Sequence, residues 1–282
     1  MYEQVVRSVI AINNRCIEQL NRGNVIPTLC ELHEAMALLK NEVALECPTL
    51  PVDTQGNQQQ AKMVGVHIQF RMDKLSNRYR SDPCLSTIPS PTTPIVLCNH
   101  FLLIETMEQN VVVPSASGPQ YQSDIVNKCL QLLCAALLYN MGLLCQHYAS
   151  TCHLSNQNGS QGTTIALRAS AIYEMLIHLC SQGNIWNTDT TTSDANQDHI
   201  YFLQIIQMMA YNNFGKIYYK MGDYLIYQQC MIVLQHQLMF LSNFGLNARN
   251  RAELNVQEIL NELQLNALVA NLFPIQTLAS AA

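Results

Sequence analysis

The stretch Ala210-Tyr-Asn-Asn-Phe-Gly-Lys-Ile-Tyr-Tyr-Lys-Met-Gly-Asp-Tyr224 decides the fold, because it contains the end of one helix and the start of another. It predicts a hairpin whose first helix ends near Met221. Gly222 suits the left-handed backbone position that follows a helix, and Asp223 can cap the next helix by accepting its free N–H groups. Apolar residues that recur at helical spacing predict the buried face of the second helix: Tyr227, Cys230, Met231, Leu234, Leu238 and Leu241.

Two other parts of the chain repeat this pattern. Ala11-Ile-Asn-Asn14 corresponds to Ala210-Tyr-Asn-Asn213, and Cys16 stands seven positions before Gly23 as Gly215 stands seven positions before Gly222. Leu138-Tyr-Asn140-Met-Gly142 contains the same Asn-x-Gly spacing as Asn213-Phe-Gly215. The chain is therefore expected to contain three helical hairpins, over about residues 4–42, 124–180 and 199–241.

The motif Asn213-x-Gly215-x-x-Tyr218, followed by Gly222-Asp223-Tyr224, resembles the helical hairpin of the tetratricopeptide-repeat (TPR) family. The resemblance covers about half of the chain and implies a mainly α fold, a TPR-like helical hairpin array (an α-α superhelix). The marker positions Cys16, Gly142 and Gly215 are 126 and 73 residues apart, whereas tandem TPR units recur every ~34 residues. The resemblance is thus to a TPR-like array with insertions.

Residues 46–123 interrupt the helical pattern. A loop rich in Pro, Gln and Asn is followed by the strict alternation of Val64, Val66, Ile68, Phe70 and Met72, which is typical of a strand. Apolar runs at 95–98, 101–104 and 111–113 extend this into a small β insertion of two or three antiparallel strands over 62–114. We expect it to be an accessory that lies on the helices.

Three domains are therefore predicted: a first hairpin at 1–45, the loop-rich β insertion at 46–123, and the remaining hairpins at 124–282. Within the last part, Asp124 is expected to cap a long apolar helix that runs through Tyr148. A linker is expected at 187–197. A final helix from about Ala248 to Asn271 should close the stack, with Leu268 facing inward.

Composition restricts the possible partners and location. Charged residues make up 12% of the chain, against about 25% in an average domain, and the net charge of −5 argues against nucleic-acid binding. No secretory signal is found at 1–10. The apolar run 129–145 is expected to be a buried helix rather than a membrane span. The 11 cysteines are expected to be reduced, so we expect an intracellular, cytoplasmic protein.

The sequence offers little catalytic chemistry. His33-Glu34 begins a zinc-protease signature, but Ala37 occupies the position of the second histidine. A cluster of soft ligands (Cys134, Cys145, His147, Cys152 and His153) does not have the usual spacing of a zinc site. We expect no catalytic residue, metal or cofactor, and a Cys/His metal-dependent enzyme is the least favoured alternative.

The recurrent asparagine is the best functional signal. Asn14, Asn140 and Asn213 occupy the same position in three first helices. The TPR resemblance implies that such an asparagine bonds the backbone of an extended peptide in a groove, with Lys216, Lys220 and Tyr218 as further candidate contacts. Alternatively, each asparagine bonds the adjoining hairpin. We expect Asn213 to be the groove residue and Asn140 the packing residue.

The predicted function is a non-catalytic scaffold or adaptor that binds a protein or peptide segment in a helical-repeat groove. The second alternative is a structural subunit that uses an apolar outer surface within a larger assembly.

Overall fold

The computed structural model describes residues 2–20, 24–44, 60–72, 100–112, 119–154, 159–183, 194–243 and 254–272. Over these residues the protein is mainly helical. The elements, in chain order, are α1 (Tyr2–Leu20), α2 (Val25–Ala44), β1 (Gln60–Met72), β2 (His100–Val112), α3 (Pro119–Leu154), α4 (Gly159–Gly183), α5 (Asp194–Met221), α6 (Tyr224–Asn243) and α7 (Leu254–Leu272).

The turn between α5 and α6 has the predicted chemistry. Gly222 has a φ of +83°, and its N–H donates to the carbonyl of Tyr219 while the Asp223 N–H donates to that of Tyr218. These two bonds form the Schellman motif that ends a helix at a left-handed residue. The Asp223 carboxylate accepts the N–H of Ile226 over 3.3 Å and caps α6. The predicted glycine and cap are confirmed, and all six residues of the predicted inner face of α6 are buried.

The helices pack as consecutive antiparallel pairs, α1 with α2, α3 with α4, and α5 with α6. Each pair contacts the next through α2–α3 and α4–α5, and α7 covers α6. Glycine allows close approach within two pairs. A Cβ on Gly142 would lie 2.8 Å from Cε1 of Tyr173 in α4, and one on Gly215 would lie 3.1 Å from the Cβ of Cys230 in α6.

Strands β1 and β2 form an antiparallel pair, in a register that runs from Gln60↔Val112 to Met72↔His100. This confirms antiparallel strands at the alternating segment and at 101–104, while the apolar run 95–98 lies outside the described residues. Strand β2 lies on the helices, as expected of the insertion, and it also belongs to their core. β2 contacts both α1 and α3, and its residues Phe101, Leu102 and Ile104 are fully buried in the same core as the helices.

Three details of the helix predictions differ from the structure. Helix α3 begins at Pro119, a residue suited to a first turn, so Asp124 lies inside the helix rather than at its cap. Helix α5 begins at Asp194, within the predicted linker. Leu268 is 57% exposed, because the inner face of α7 is formed by Val256, Ile259, Leu263 and Ala267, and the residue after Ala267 is rotated out of that stripe.

Helix α3 is the central element. Between Val126 and Cys152 it is long and apolar enough to cross a membrane by length and composition, but most of this segment is buried among the other elements. It contacts α2, α4, α5 and both strands. The apolar character of α3 on several sides therefore has an explanation in packing.

Candidate functional site

Two asparagine side chains from different helices hold the main chain of strand β2. Asn14 of α1 donates from Nδ2 to the Ile104 carbonyl over 2.7 Å, and its Oδ1 accepts the Ile104 N–H over 3.1 Å. Asn140 of α3 binds Leu102 in the same way, with its Oδ1 accepting the N–H over 2.9 Å and its Nδ2 donating to the carbonyl over 3.0 Å. Each side chain thus supplies the donor and acceptor that a neighbouring strand would supply.

The position of these bonds follows from strand geometry. Leu102 and Ile104 are two residues apart, so their N–H and C=O groups point to the same edge of β2. Phe101 and Leu103 point theirs to the opposite edge, where β1 pairs with β2. The edge that faces the helices would otherwise present unpaired backbone groups, and the two asparagines satisfy them.

A third asparagine joins the other two into a network. Asn13 accepts a bond at Oδ1 from Asn140 Nδ2 over 2.9 Å, and its own Nδ2 donates to the Leu102 carbonyl over 3.0 Å and to Asn14 Oδ1 over 3.2 Å. Asn13 and Asn140 are buried, and Asn14 is half-buried. We call Asn13, Asn14 and Asn140 the amide clamp. The space between α1 and α3 that holds residues 101–104 is called the α1–α3 groove.

Apolar side chains complete the binding of the strand. Phe101, Leu102 and Ile104 are each at most 1% exposed, whereas Leu103 is half-buried. Burial of each such side chain stabilises the folded state by about 1.5–3 kcal/mol. The ring of Phe101 stacks on the imidazole of His147 at a centroid distance of 6.4 Å and an interplanar angle of 19°. The strand is therefore held by main-chain bonds together with side-chain pockets, the two components of extended-peptide recognition.

His147 of α3, whose ring stacks on Phe101, lies near the charges of Lys216 and Lys220 of α5, and we call these three residues the basic cluster. Burial, with the nearby Lys216 and Lys220 charges, lowers the pKa of His147 to about 4. Burial, reinforced by the charge of Lys220, lowers the pKa of Lys216 to about 7. Burial also lowers the pKa of Lys220, the more exposed of the two lysines, whose Nζ lies 3.5 Å from Ser150 Oγ. An anion would favour the charged forms of these groups.

The structure contradicts the expected groove role of Asn213, and it buries Asn140, the expected packing residue. Asn213 is 0% exposed, and its Nδ2 donates to the hydroxyls of Tyr139 and Tyr173 over 3.2 and 3.3 Å. Its carbonyl accepts a bond from Gln146 over 3.3 Å. Asn213 therefore joins α5 to α3 and α4 inside the core, and Asn140 likewise packs in the core, against Asn13 of the adjoining hairpin and against β2.

The other candidate contacts occupy different environments. Tyr218 is half-buried, and its ring packs on that of Phe214 at a centroid distance of 4.9 Å. Lys216 and Lys220 belong to the basic cluster. The structure thus brings Asn14 and Asn140 together on one strand, and it places Asn213 in an interhelical contact.

Sequence reasoning missed Asn13 and the segment 101–104 as parts of the site. The Asn-Asn pair occurs twice, at 13–14 and 212–213. This repetition was a signal for Asn13, because each side-chain amide of the pair needs hydrogen-bond partners. The uninterrupted apolar run Phe101–Ile104 was a signal for the strand, since a strand that is apolar on both faces is buried on both faces.

Within the described part of the chain, no group of three His, Cys, Asp or Glu residues is placed to hold a metal ion. Burial raises the pKa of the Cys134 and Cys145 thiols to about 11, so both are protonated at neutral pH. A thiol acts as a metal ligand or nucleophile in its deprotonated form, which disfavours either role for these two residues.

Comparison with protein-family models, with curated proteins and with solved structures finds no match to this chain. The functional proposal therefore rests on the geometry of the amide clamp and its surroundings.

Proposed function

We propose that this protein is a non-catalytic interaction module, a TPR-like superhelix of three hairpins with a closing helix, and that it binds an extended protein or peptide segment. The consecutive pairing of α1 to α6 and the tight glycine contacts at Gly142 and Gly215 support the architecture. The binding surface is formed by the first helices of the hairpins, where α1 and α3 carry the amide clamp.

One observation carries the proposal: Asn14 and Asn140 each bond both backbone groups of alternate residues in one strand. These bonds require an extended main chain but no particular side chain. Affinity for extended polypeptide therefore comes from the clamp, and preference among segments comes from the pockets that hold Phe101, Leu102 and Ile104. The strand bound there is β2 of the chain itself. Its extended conformation and its sequence therefore indicate the kind of ligand that the clamp binds.

Lys216 and Lys220 extend the proposed binding surface beyond the clamp. They lie on α5, one helical turn apart. The charges of both lysines lower the pKa of His147, whose imidazole contacts the Phe101 ring. A carboxylate on the bound segment would pair with them through charge-assisted hydrogen bonds. The ligand class is thus an extended, apolar segment with an acidic group at this end, and neither nucleic acid nor a membrane is a proposed partner.

Binding of a separate peptide to the full chain tests the proposal. The Leu102→Ala variant weakens the resident strand but leaves the clamp intact, and circular dichroism establishes that it is folded. A labelled peptide with the sequence of residues 99–106 should bind this variant. Methylation of the peptide nitrogens equivalent to Leu102 and Ile104 removes both donors to the clamp, so the affinity should fall by about tenfold or more. Equal binding of the two peptides would refute backbone recognition.

The second candidate function is that of a structural subunit, and the outer face of α6 favours it. Leu225, Ile232 and Met239 are 66, 49 and 55% exposed and recur every seven residues along one stripe. An exposed apolar stripe of this kind is typical of a contact between proteins. Replacing Ile232 by Lys should dissociate any assembly formed through α6 without changing peptide binding at the clamp, as measured by analytical ultracentrifugation.

A further inference from the structure

The outer face of α6 carries an apolar stripe that no charged residue interrupts. Leu225, Ile232 and Met239 are 66, 49 and 55% exposed, and we call these three residues the α6 stripe. They recur every seven residues, which is the spacing that keeps one side of a helix facing another helix. Helix α6 contains no Asp, Glu, Lys or Arg. The stripe therefore fits a partner helix, and no charge on α6 opposes its approach.

The second helices of the other two hairpins differ from α6 in this respect. Exposed charged side chains lie on α2, at Glu34 and Lys40, and on α4, at Arg168 and Glu174. Charged residues are depleted at the centre of contacts between proteins. The absence of charge thus distinguishes α6 from α2 and α4 as a contact surface.

The order of residues along α6 is symmetric about Ile232. Leu225 and Met239 stand seven positions before and after it, and Gln228 and His236 stand four positions before and after it. In an antiparallel pair of α6 helices with a two-fold axis at Ile232, each residue faces the one at the same distance on the other side of the axis. Leu225 then faces Met239 of the second copy, and Gln228 faces His236. Apolar side chains meet apolar ones and polar side chains meet polar ones, so the surface is complementary to itself.

We propose that α6 is a self-association surface on which a second copy of this chain packs antiparallel, with the two α6 stripes in contact. This inference rests on the second candidate function, that of a structural subunit, and adds to it the identity of the partner. The stripe is about 21 Å long at a rise of 1.5 Å per residue. A contact of this size is small, so the dimer forms reversibly, at about micromolar concentration, rather than being obligate.

Sedimentation equilibrium of the unmodified full-length chain tests self-association. As the concentration is raised from about 1 to 100 μM, the average mass should rise from that of one chain toward that of two. Ile232→Lys places two ammonium groups together at the two-fold axis, so the association constant should fall by about tenfold or more. The matched control is Met175→Lys on the outer face of α4, because Met175 is also 55% exposed. This control should leave the association constant unchanged.

Exchange of charge between the two ends of the stripe tests the antiparallel register. Leu225→Glu and Met239→Lys should each weaken self-association, because each places a charge against an apolar side chain. An equimolar mixture of the two variants should associate more strongly than either alone, since the introduced carboxylate of one chain faces the introduced ammonium group of the other. In a parallel pair these two positions lie at opposite ends of the contact, and mixing should have no such effect. Circular dichroism establishes that each variant is folded.

The outcomes separate this inference from the candidate function on which it rests. A chain that stays monomeric up to about 100 μM would refute the second copy as the partner, and the structural-subunit function would stand with a different protein on α6. Self-association that Ile232→Lys does not weaken would place the contact elsewhere and refute both. A mixture of the two charge variants that associates no better than its components would refute the antiparallel pairing.

Discussion

Replacing Asn140 by alanine removes three hydrogen bonds from the centre of the site. The N–H of Leu102 loses its acceptor, and Oδ1 of Asn13 loses the donor at 2.9 Å. The carbonyl of Leu102 retains the bond from Asn13 Nδ2 at 3.0 Å. Since a buried polar group left unsatisfied costs about 1–3 kcal/mol, the two deprived groups predict a loss of about 2–6 kcal/mol in unfolding free energy. This is a large share of the ~5–15 kcal/mol that stabilise a typical protein.

The matched comparison is Asn14→Ala. Asn14 is half-buried, so water can replace it at the N–H and C=O of Ile104, and the expected loss is smaller, about 1–2 kcal/mol. Asn41 is exposed on α2, and Asn41→Ala should change the unfolding free energy by less than about 0.5 kcal/mol. Urea denaturation followed by circular dichroism measures all three variants. A loss for Asn140→Ala no larger than that for Asn14→Ala would refute the reasoning about the clamp.

Three further predictions concern the core and the basic cluster. Asn213→Ala should lower the unfolding free energy by about 1–3 kcal/mol, because it leaves buried tyrosine hydroxyls without this donor; a neutral result in urea denaturation would contradict its packing role. Gly142→Ala should cost about 1–3 kcal/mol by overpacking against the Tyr173 ring, and an unchanged midpoint would show that the ring moves aside freely. The pKa of Lys216 is lowered to about 7. Between about pH 7 and 10 the unfolded chain therefore binds a proton at this lysine that the folded protein does not bind. The free energy of unfolding consequently falls as the pH is lowered through this window. Lys216→Met should flatten that dependence in denaturation curves measured across the window, and an unaltered slope would contradict the burial of the ammonium group.

The features that could be predicted from the sequence are those determined by neighbouring residues. The turn at Gly222 and Asp223 depends on bonds that span at most five residues, and the inner face of α6 follows from helical spacing alone. The start of α3 could not be placed in this way, since Pro119 and Asp124 are both acceptable near a helix start. The exposure of Leu268 depends on which stripe of α7 contacts α6, and tertiary packing determines this rather than helical spacing.

The sequence predicted that asparagine residues would form the site, but it did not predict which asparagine would bind which partner. The same Asn-x-Gly pattern surrounds Asn140 and Asn213, and only the surroundings differ. Near Asn213 the hydroxyls of Tyr139 and Tyr173 supply partners, whereas Asn140 meets a strand that precedes it by 38 residues in the chain. Asn14 meets the same strand across 90 residues. Contacts at such separations leave no periodic signal in the sequence, so the occupant of the groove could not be read from it.

The most direct test of the central claim is amide hydrogen exchange at Leu102 and Ile104, measured residue by residue in the unmodified protein and in the two asparagine variants. Both amides should be protected in the unmodified protein. Asn140→Ala should accelerate exchange chiefly at Leu102, and Asn14→Ala chiefly at Ile104, because each asparagine accepts only one of these N–H groups. Rapid exchange of both amides in the unmodified protein, or identical changes at the two residues in both variants, would contradict the claim that the amide clamp holds an extended backbone.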